Sequence, residues 1–138
     1  MSVFVDTSAF LAVLDGDDAR NAVANTIWDE LFDSGELLVC TSYVIVETFA
    51  LAQRRIGLAA AREFHDVVCP ALDDVEWVDE AMHEVGVAAV FGAGRRHLSL
   101  VDCVSFEVMR RKGIRRVFCF DPHFEEAGFE IVAARPRP

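Results

Sequence analysis

Two aspartates follow directly on segments that have the composition of buried strands. Asp6 lies between the apolar strand segment Val3–Val5 and the helical segment Ser8–Leu14. Asp121 comes directly after the strand segment Arg116–Phe120. Because a buried, unpaired carboxylate costs on the order of several kcal/mol, each aspartate must cap a helix, pair with a base or hold a cation. For Asp121, the proline that follows makes a helix cap a sufficient explanation by itself.

Two further acids lie on the apolar faces of predicted helices. Glu47 shares its face of the helix Tyr43–Arg55 with apolar side chains three and four residues away on both sides. A buried ion pair with Arg54 is one explanation for Glu47. Asp102 lies on a similar apolar stripe, but Ser99 and Asp102 also have the spacing of a capping box, which explains Asp102 equally well.

A cluster of these four acids would repel itself unless a counter-ion lay within it. Hard divalent cations take oxygen ligands, and Mg²⁺ uses a few carboxylates plus waters, which leaves positions for phosphate oxygens. On this hypothesis Asp6 is first a metal ligand, and Thr7 or Ser8 supplies a hydroxyl that holds a metal-bound water or caps the next helix. The remaining histidines have no spacing that suggests a ligand set: His65, His83 and His97.

The elements that must position these acids alternate between short apolar strands and longer helices, which predicts an α/β fold with a mostly parallel sheet. The predicted strands are Val3–Val5, Leu37–Cys40, Val75–Val78, Arg116–Phe120 and Glu130–Val132. The predicted helices are Ser8–Leu14, Ala19–Phe32, Tyr43–Arg55, Leu58–Val68, Glu80–Phe91 and Leu100–Arg111. Such folds bind ligands beyond the carboxyl ends of their strands, where Asp6 and Asp121 are expected.

Length and composition predict one well-packed domain. The chain has 138 residues, 53% of them hydrophobic, and a mean hydropathy of +0.27. No apolar stretch approaches the roughly 20 residues that cross a bilayer, and no basic leader precedes the first strand, so we expect neither a membrane anchor nor a signal peptide and place the chain in the cytoplasm. Four scattered cysteines are expected to be reduced core thiols: Cys40, Cys69, Cys103 and Cys119.

The charge of the chain is unevenly distributed. A net charge of −10 argues against a nucleic-acid partner when it is taken alone. Between Arg95 and Arg116, however, there are seven basic residues and only two acidic ones. This segment is expected either to grip phosphate or to form a solvated helix face. The candidate phosphate-binding arginines are Arg95, Arg96, Arg110, Arg111 and Arg115.

Four pieces of the sequence, in this order and at this spacing, resemble the PIN-domain nucleases. They are "VFVDTSAF" at the start, Glu47 in the mid-chain helix, the late acidic helix "LVDCVSFEVMRRKG" and the strand-end motif "VFCFDPHF". Within that family the chain is most similar to the VapC-type toxins of bacterial and archaeal toxin–antitoxin pairs. The resemblance covers essentially the whole chain.

The resemblance implies a three-layer α/β/α PIN domain over residues 1–134, with about five mostly parallel strands, and a short C-terminal tail over residues 135–138. It also implies a Mg²⁺ site, which Mn²⁺ would fill as a substitute. The implied ligands are Asp6, Glu47, Asp102 and Asp121, with Thr7 and Ser8 as polar support. His123 is a departure, because many relatives carry a second acid two residues after the counterpart of Asp121. That departure affects the ligands available to a second metal ion but not those of the first.

The implied function is hydrolysis of RNA phosphodiester bonds by a Mg²⁺-dependent endoribonuclease, the toxin of a type II toxin–antitoxin system. The expected partners are an RNA substrate, a second copy of the chain and an antitoxin segment docked near a groove between apolar helices. The alternatives are a catalytically silent PIN module that acts as a scaffold and a housekeeping RNA-processing nuclease. A haloacid-dehalogenase-like phosphatase would need an aspartate where Ser8 stands.

Overall fold

Five strands, all paired in parallel, form the central layer of the computed structural model, which describes residues 1–135. The strands are β1 (Ser2–Val5), β2 (Leu37–Thr41), β3 (Asp74–Glu76), β4 (Arg116–Phe118) and β5 (Glu130–Ile131). Their order across the sheet is β3-β2-β1-β4-β5. The predicted fold class, a three-layer α/β/α domain with the PIN arrangement, is confirmed.

Strand β1 occupies the centre of the sheet. Its residues Val3, Phe4 and Val5 have no solvent exposure, as expected for a parallel strand that helices cover on both faces. The chain builds β2 and β3 on one side of β1 and then returns to build β4 and β5 on the other. The strand order therefore reverses between β1 and β4, and a ligand crevice is expected at the carboxyl ends of these two strands.

Seven helices cover the sheet in the described part of the chain. They are α1 (Thr7–Leu14), α2 (Asn21–Ser34), α3 (Ser42–Arg55), α4 (Leu58–Glu63), α5 (Glu80–Ala93), α6 (Leu100–Lys112) and α7 (His123–Glu126). Four of these helices begin at a short polar N-cap whose side chain accepts a backbone hydrogen bond: Asp6, Thr41, Asp79 and Ser99.

Helix α2 begins and ends two residues later than the predicted helix Ala19–Phe32, and the structure differs further from the prediction in one helix, two strands and one added helix. The predicted helix Leu58–Val68 is α-helical only to Glu63 and continues as a π-helical turn, Phe64–Val68, and a short 3₁₀ turn. Pro70 lies in that 3₁₀ turn and cannot donate the hydrogen bond that would prolong an α-helix. Strands β3 and β4 both end two residues earlier than predicted. Helix α7 was not predicted, since four residues carry no periodic signal.

Helices α5 and α6 pack closely because α5 has a glycine at the contact. A Cβ atom added to Gly86 would lie 2.5 Å from Cγ2 of Val104, closer than real carbon contacts. This contact sets the position of α6 and so of Asp102 on its first turn.

The division into a domain over residues 1–134 and a tail from residue 135 stays a prediction, because residues 136–138 lie outside the described part of the chain. All four cysteines have free thiols, and three of them are buried. Within residues 1–135, no helix is both long and apolar enough to cross a membrane.

Candidate active site

Asp6 is a buried carboxylate at the end of β1. Only 3% of its surface is exposed, and its Oδ2 atom accepts hydrogen bonds from the hydroxyl (2.8 Å) and the backbone N–H (3.2 Å) of Ser8. It therefore caps α1, but no ion pair found among residues 1–135 includes it. Burial raises the pKa of Asp6 to about 7, and the nearby charge of Asp102 adds to the increase while the bonds from Ser8 oppose it.

Ser8 joins the ends of the two central strands. Its hydroxyl donates to Asp6 and accepts a hydrogen bond of 2.9 Å from the backbone N–H of Phe120, the residue before Asp121. The Asp6 N–H also donates to the Phe118 carbonyl at 3.0 Å, which continues the ladder between β1 and β4. The two strand-end aspartates therefore lie at the same edge of the sheet.

Glu47 reaches the same place from α3, and two threonines stand beside it. The Thr48 hydroxyl, which is fully buried, donates to the Thr7 hydroxyl at 3.1 Å. Burial raises the pKa of Glu47, a hydrogen bond from Thr7 opposes that increase, and the charges of Asp102 and Asp121 add to it. The alternative explanation for Glu47, an ion pair with Arg54, is not found among the described residues.

Asp102 caps its helix and also lies among the other acids. It forms the capping box with Ser99: the Asp102 N–H donates to the Ser99 hydroxyl at 3.0 Å, and the Ser99 N–H donates to Oδ2 of Asp102 at 3.2 Å. At 7% exposure it also faces the other acids. Burial raises the pKa of Asp102, and the charge of Asp121 contributes to that increase.

His123 lies against two of the acids. Its Nδ1 atom is 3.1 Å from Oδ1 of Asp121 and 3.3 Å from Oδ2 of Asp102. The Asp121 Oδ1 atom also accepts a hydrogen bond of 2.8 Å from the His123 backbone N–H, so Asp121 caps the turn into α7. One ligand atom from each of Asp102, Asp121 and His123 lies within 4.8 Å of the other two.

The structure brings all six predicted site residues together around an open pocket of about 290 Å³. Its lining includes Asp6, Thr7, Ser8, Glu47, Asp102 and Asp121, together with His97 and Ser99. Sequence reasoning missed Thr48 and His97 as neighbours of the site. Thr48 directly follows Glu47, but it lies on a buried face where a threonine gives no signal. His97 lies in the turn before α6, five residues before Asp102, where a lone histidine gives no signal either.

The donor set of this pocket fits a divalent cation. Four carboxylates, at least three of them with raised pKa values, face one another, and no lysine or arginine within residues 1–135 forms an ion pair with any of them. Hard oxygen ligands of this kind suit Mg²⁺ and Mn²⁺. Burial is the main cause of the raised pKa values and repulsion between the acids adds to it, and a bound cation would offset both.

The predicted phosphate-binding arginines fall into two groups. Arg95 and Arg110 line a groove of about 240 Å³ that adjoins the acids through His123, and Arg96 lies in the same loop as Arg95. Arg111 lies about 13 Å beyond Asp102 along α6 and pairs with Glu107. Arg115 precedes β4, at the opposite end of that strand from Asp121.

The parallel sheet with an acid cluster at its switch point has the arrangement of a PIN-type nuclease domain. The chain belongs to the PIN-domain family, whose model matches residues 3–130. It is 34% identical over 134 residues to the 23S rRNA-specific endonuclease VapC20 of Mycobacterium tuberculosis, covering 97% of this chain and 98% of that protein. It is 26% identical over 129 residues to the VapC ribonuclease of Aquifex aeolicus, covering 93% of each.

Solved structures agree with the sequence relatives. The crystal structure of M. tuberculosis VapC20, described as a sarcin–ricin loop cleaving toxin, superposes with a TM-score of 0.84 at 33% identity, over 96% of this chain and 99% of that one. FitAcB from Neisseria gonorrhoeae superposes with a TM-score of 0.67 at 12% identity, over 96% and 97%, and shows the shared fold alone. The predicted class, a ribonuclease with the PIN fold and a VapC-type sequence, is confirmed.

Proposed function

We propose that this chain is a divalent-metal-dependent endoribonuclease and the toxin of a toxin–antitoxin pair. One observation carries the proposal: four carboxylates meet at the switch point of a PIN-type sheet, and no lysine or arginine among the described residues forms an ion pair with them. A scaffold protein has no need to keep these charges together against their repulsion. Under this proposal the fold tolerates the repulsion because a bound cation offsets it when the protein is active.

Asp6, Glu47, Asp102 and Asp121 would hold Mg²⁺, or Mn²⁺ as its substitute. When bound, the metal lowers the pKa of water and neutralises charge on a scissile phosphate. The polar neighbours orient the acids. The Ser8 hydroxyl donates to one oxygen of Asp6. The Thr48 hydroxyl donates to the Thr7 hydroxyl, which leaves the Thr7 proton for Glu47. The remaining oxygens of the four acids stay open to the pocket.

The substrate needs a basic surface beside this acidic pocket. Arg95 and Arg110 line the groove next to His123, and we expect them to contact RNA phosphates on one side of the cleavage site, with Arg96 extending that surface. Arg111 and Arg115 would contact only a longer RNA, because they lie further along α6 and beyond it. Since VapC20 is named as a 23S rRNA-specific endonuclease, the sarcin–ricin hairpin is the first substrate to test.

The proposed partners are an antitoxin and a second copy of the chain. Helices α3 and α4 expose large apolar side chains, including Val46 (65% exposed) and Leu58 (69%). An amphipathic antitoxin segment or a second protomer would cover such side chains. Ribosomal RNA as a substrate would place this activity in the cytoplasm.

The test is cleavage of a sarcin–ricin hairpin by the purified chain in Mg²⁺, in Mn²⁺ and in EDTA. We expect a single internal cut with either metal and none in EDTA. A hairpin with the same stem and a scrambled loop controls for substrate choice, and Asp121→Asn purified in parallel controls for contaminating nuclease. Equal cleavage by Asp121→Asn, or cleavage that persists in EDTA, would contradict the proposal.

A further inference from the structure

The imidazole of His123 stands where two carboxylates converge. Its Nδ1 atom is 3.1 Å from Asp121 Oδ1 and 3.3 Å from Asp102 Oδ2. The side chain is 16% exposed, and the ring lines the groove that also contains Arg95 and Arg110. Nδ1 of His123 therefore lies beside two of the four proposed metal ligands.

The local fold does not require this side chain. The backbone N–H of His123 already satisfies the cap offered by Asp121. Helix α7 is fixed by Phe124, whose ring is fully buried and packs against Phe4 and Phe106 at centroid distances of 6.3 and 5.0 Å. The position of the imidazole is therefore set by α7, while its contacts are made with the acids.

We propose that His123 is a nitrogen ligand of the metal centre, together with Asp102 and Asp121, and that it tunes the site toward Mn²⁺ and later transition-metal ions over Mg²⁺. This inference rests on the proposed metal-dependent function. Adjacent ligand atoms of a small octahedral cation with bonds of about 2.1 Å are about 3 Å apart, close to the two separations at Nδ1. As a ligand, the ring would present its Nδ1 lone pair to the ion and carry its proton on Nε2.

The expected selectivity follows from ligand chemistry. Carboxylates and water suit Mg²⁺ and Mn²⁺ alike, whereas an imidazole nitrogen favours later transition metals and disfavours the harder Mg²⁺. A relative with an acid in place of His123 would present only oxygens. The single substitution His123→Asp therefore converts a mixed nitrogen and oxygen site into an all-oxygen site without moving the backbone.

The experiment is electron spin echo envelope modulation on Mn²⁺ bound to the full chain, a measurement that detects nitrogen bonded directly to the ion. We expect a ¹⁴N modulation in the wild-type chain, and we expect its frequencies to change when the protein is labelled with ¹⁵N-histidine alone. This comparison needs no variant, so it holds even if a substitution at residue 123 impairs folding.

Two variants assign the nitrogen. His123→Asp should remove the modulation and lower the ratio of Mn²⁺ to Mg²⁺ affinity by roughly tenfold, measured by titration calorimetry. The matched control is His97→Ala. His97 lines the pocket that contains the four acids, but it has no hydrogen bond or ion pair with them among the described residues. That variant should keep the modulation.

The outcomes separate this inference from the function on which it rests. If Mn²⁺ binds without a nitrogen signal, or if His97→Ala removes the signal, the assignment of His123 is overturned and the metal-dependent nuclease stands. The ring would then serve only as a hydrogen-bonding neighbour of the acids. If Mn²⁺ does not bind at all, both the assignment and the proposed function are overturned.

Discussion

The two ends of the central sheet treat carboxylates in opposite ways. At the amino end, Glu36 just before β2 forms an ion pair with Arg116 at the start of β4. At the carboxyl end, Asp6 and Asp102 are more deeply buried and Asp121 is exposed to a similar extent, but no arginine or lysine of the described chain pairs with them. The same sheet therefore stabilises one carboxylate with a base and leaves others to repel one another.

This difference separates a structural role from a functional one. A partly buried acid that only supports the fold is expected to have a partner, because an orphaned charge is destabilising. Acids that stay together without a base indicate a ligand that supplies the missing positive charge. Elsewhere in the protein the pattern of the amino end recurs, since Lys112 pairs with both Asp74 and Glu76 on β3.

The substitution Asp6→Asn should have the largest effect at the carboxyl end. Asparagine keeps the size of the side chain and its capping bond with Ser8, but it removes the charge that would hold the metal. We expect RNA cleavage to fall by on the order of 100-fold or more. The measurement is the single-turnover cleavage rate of the sarcin–ricin hairpin at saturating Mn²⁺.

The same variant distinguishes the three roles considered for Asp6. A metal ligand predicts lost activity with stability in EDTA that is unchanged or higher, because one member of a repelling cluster is gone. A cap alone predicts that both activity and stability survive. A buried ion pair predicts a loss of about 3–5 kcal/mol from the orphaned base. An active Asp6→Asn protein would refute the mechanism.

A smaller effect is expected from metal removal, and it should depend on pH. Burial raises the pKa of Asp6 from 3.8 to about 7, so the unfolded chain loses this proton at lower pH than the folded chain. Without metal, the contribution of Asp6 makes the fold less stable as the pH rises from about 4 to about 7. Metal needs the ionised acid, so its stabilising effect increases over the same range.

The measurement is the difference in Tm between Mn²⁺ and EDTA from about pH 5 to pH 8. At a metal concentration 100 times Kd, binding adds about 2.7 kcal/mol to the free energy of unfolding, and we expect this gain only toward the alkaline end. In Asp6→Asn the pH dependence should become weaker. A Tm difference that is constant with pH would show that the raised pKa of Asp6 is not linked to metal binding.

Much of this arrangement is predictable from sequence, and the limits have physical causes. The acids at the ends of β1 and β4 are visible because an apolar strand followed by a carboxylate is unusual, and the parallel topology then brings Asp6 and Asp121 together. Glu47 is visible because helical periodicity places it on an apolar face.

The contacts that sequence reasoning missed depend on tertiary geometry. The position of His123 against Asp102 follows from α7, a helix of four residues, and from the packing of Phe124. The bond from Phe120 to the Ser8 hydroxyl joins residues that are 112 positions apart. No local pattern reports such contacts, and the pairing of Arg116 with Glu36 across 80 positions is hidden for the same reason.

The smallest effect is expected at the amino end of the sheet, from Glu36→Gln. This variant makes the same change from carboxylate to amide as Asp6→Asn, but it removes a charge that has a partner. The side chains of Glu36 and Arg116 are 22% and 26% exposed, so we expect a loss of only about 1 kcal/mol in the free energy of unfolding, with RNA cleavage unchanged. Urea denaturation of both variants in EDTA measures the contrast, because Glu36→Gln should lower the unfolding midpoint while Asp6→Asn leaves it unchanged or raises it. The contrary result would be a shift of the midpoint in the same direction and by the same amount in both variants. The carboxylates at the two ends of the sheet would then not differ in how positive charge offsets them. The case for a cation among the acids would lose its physical basis.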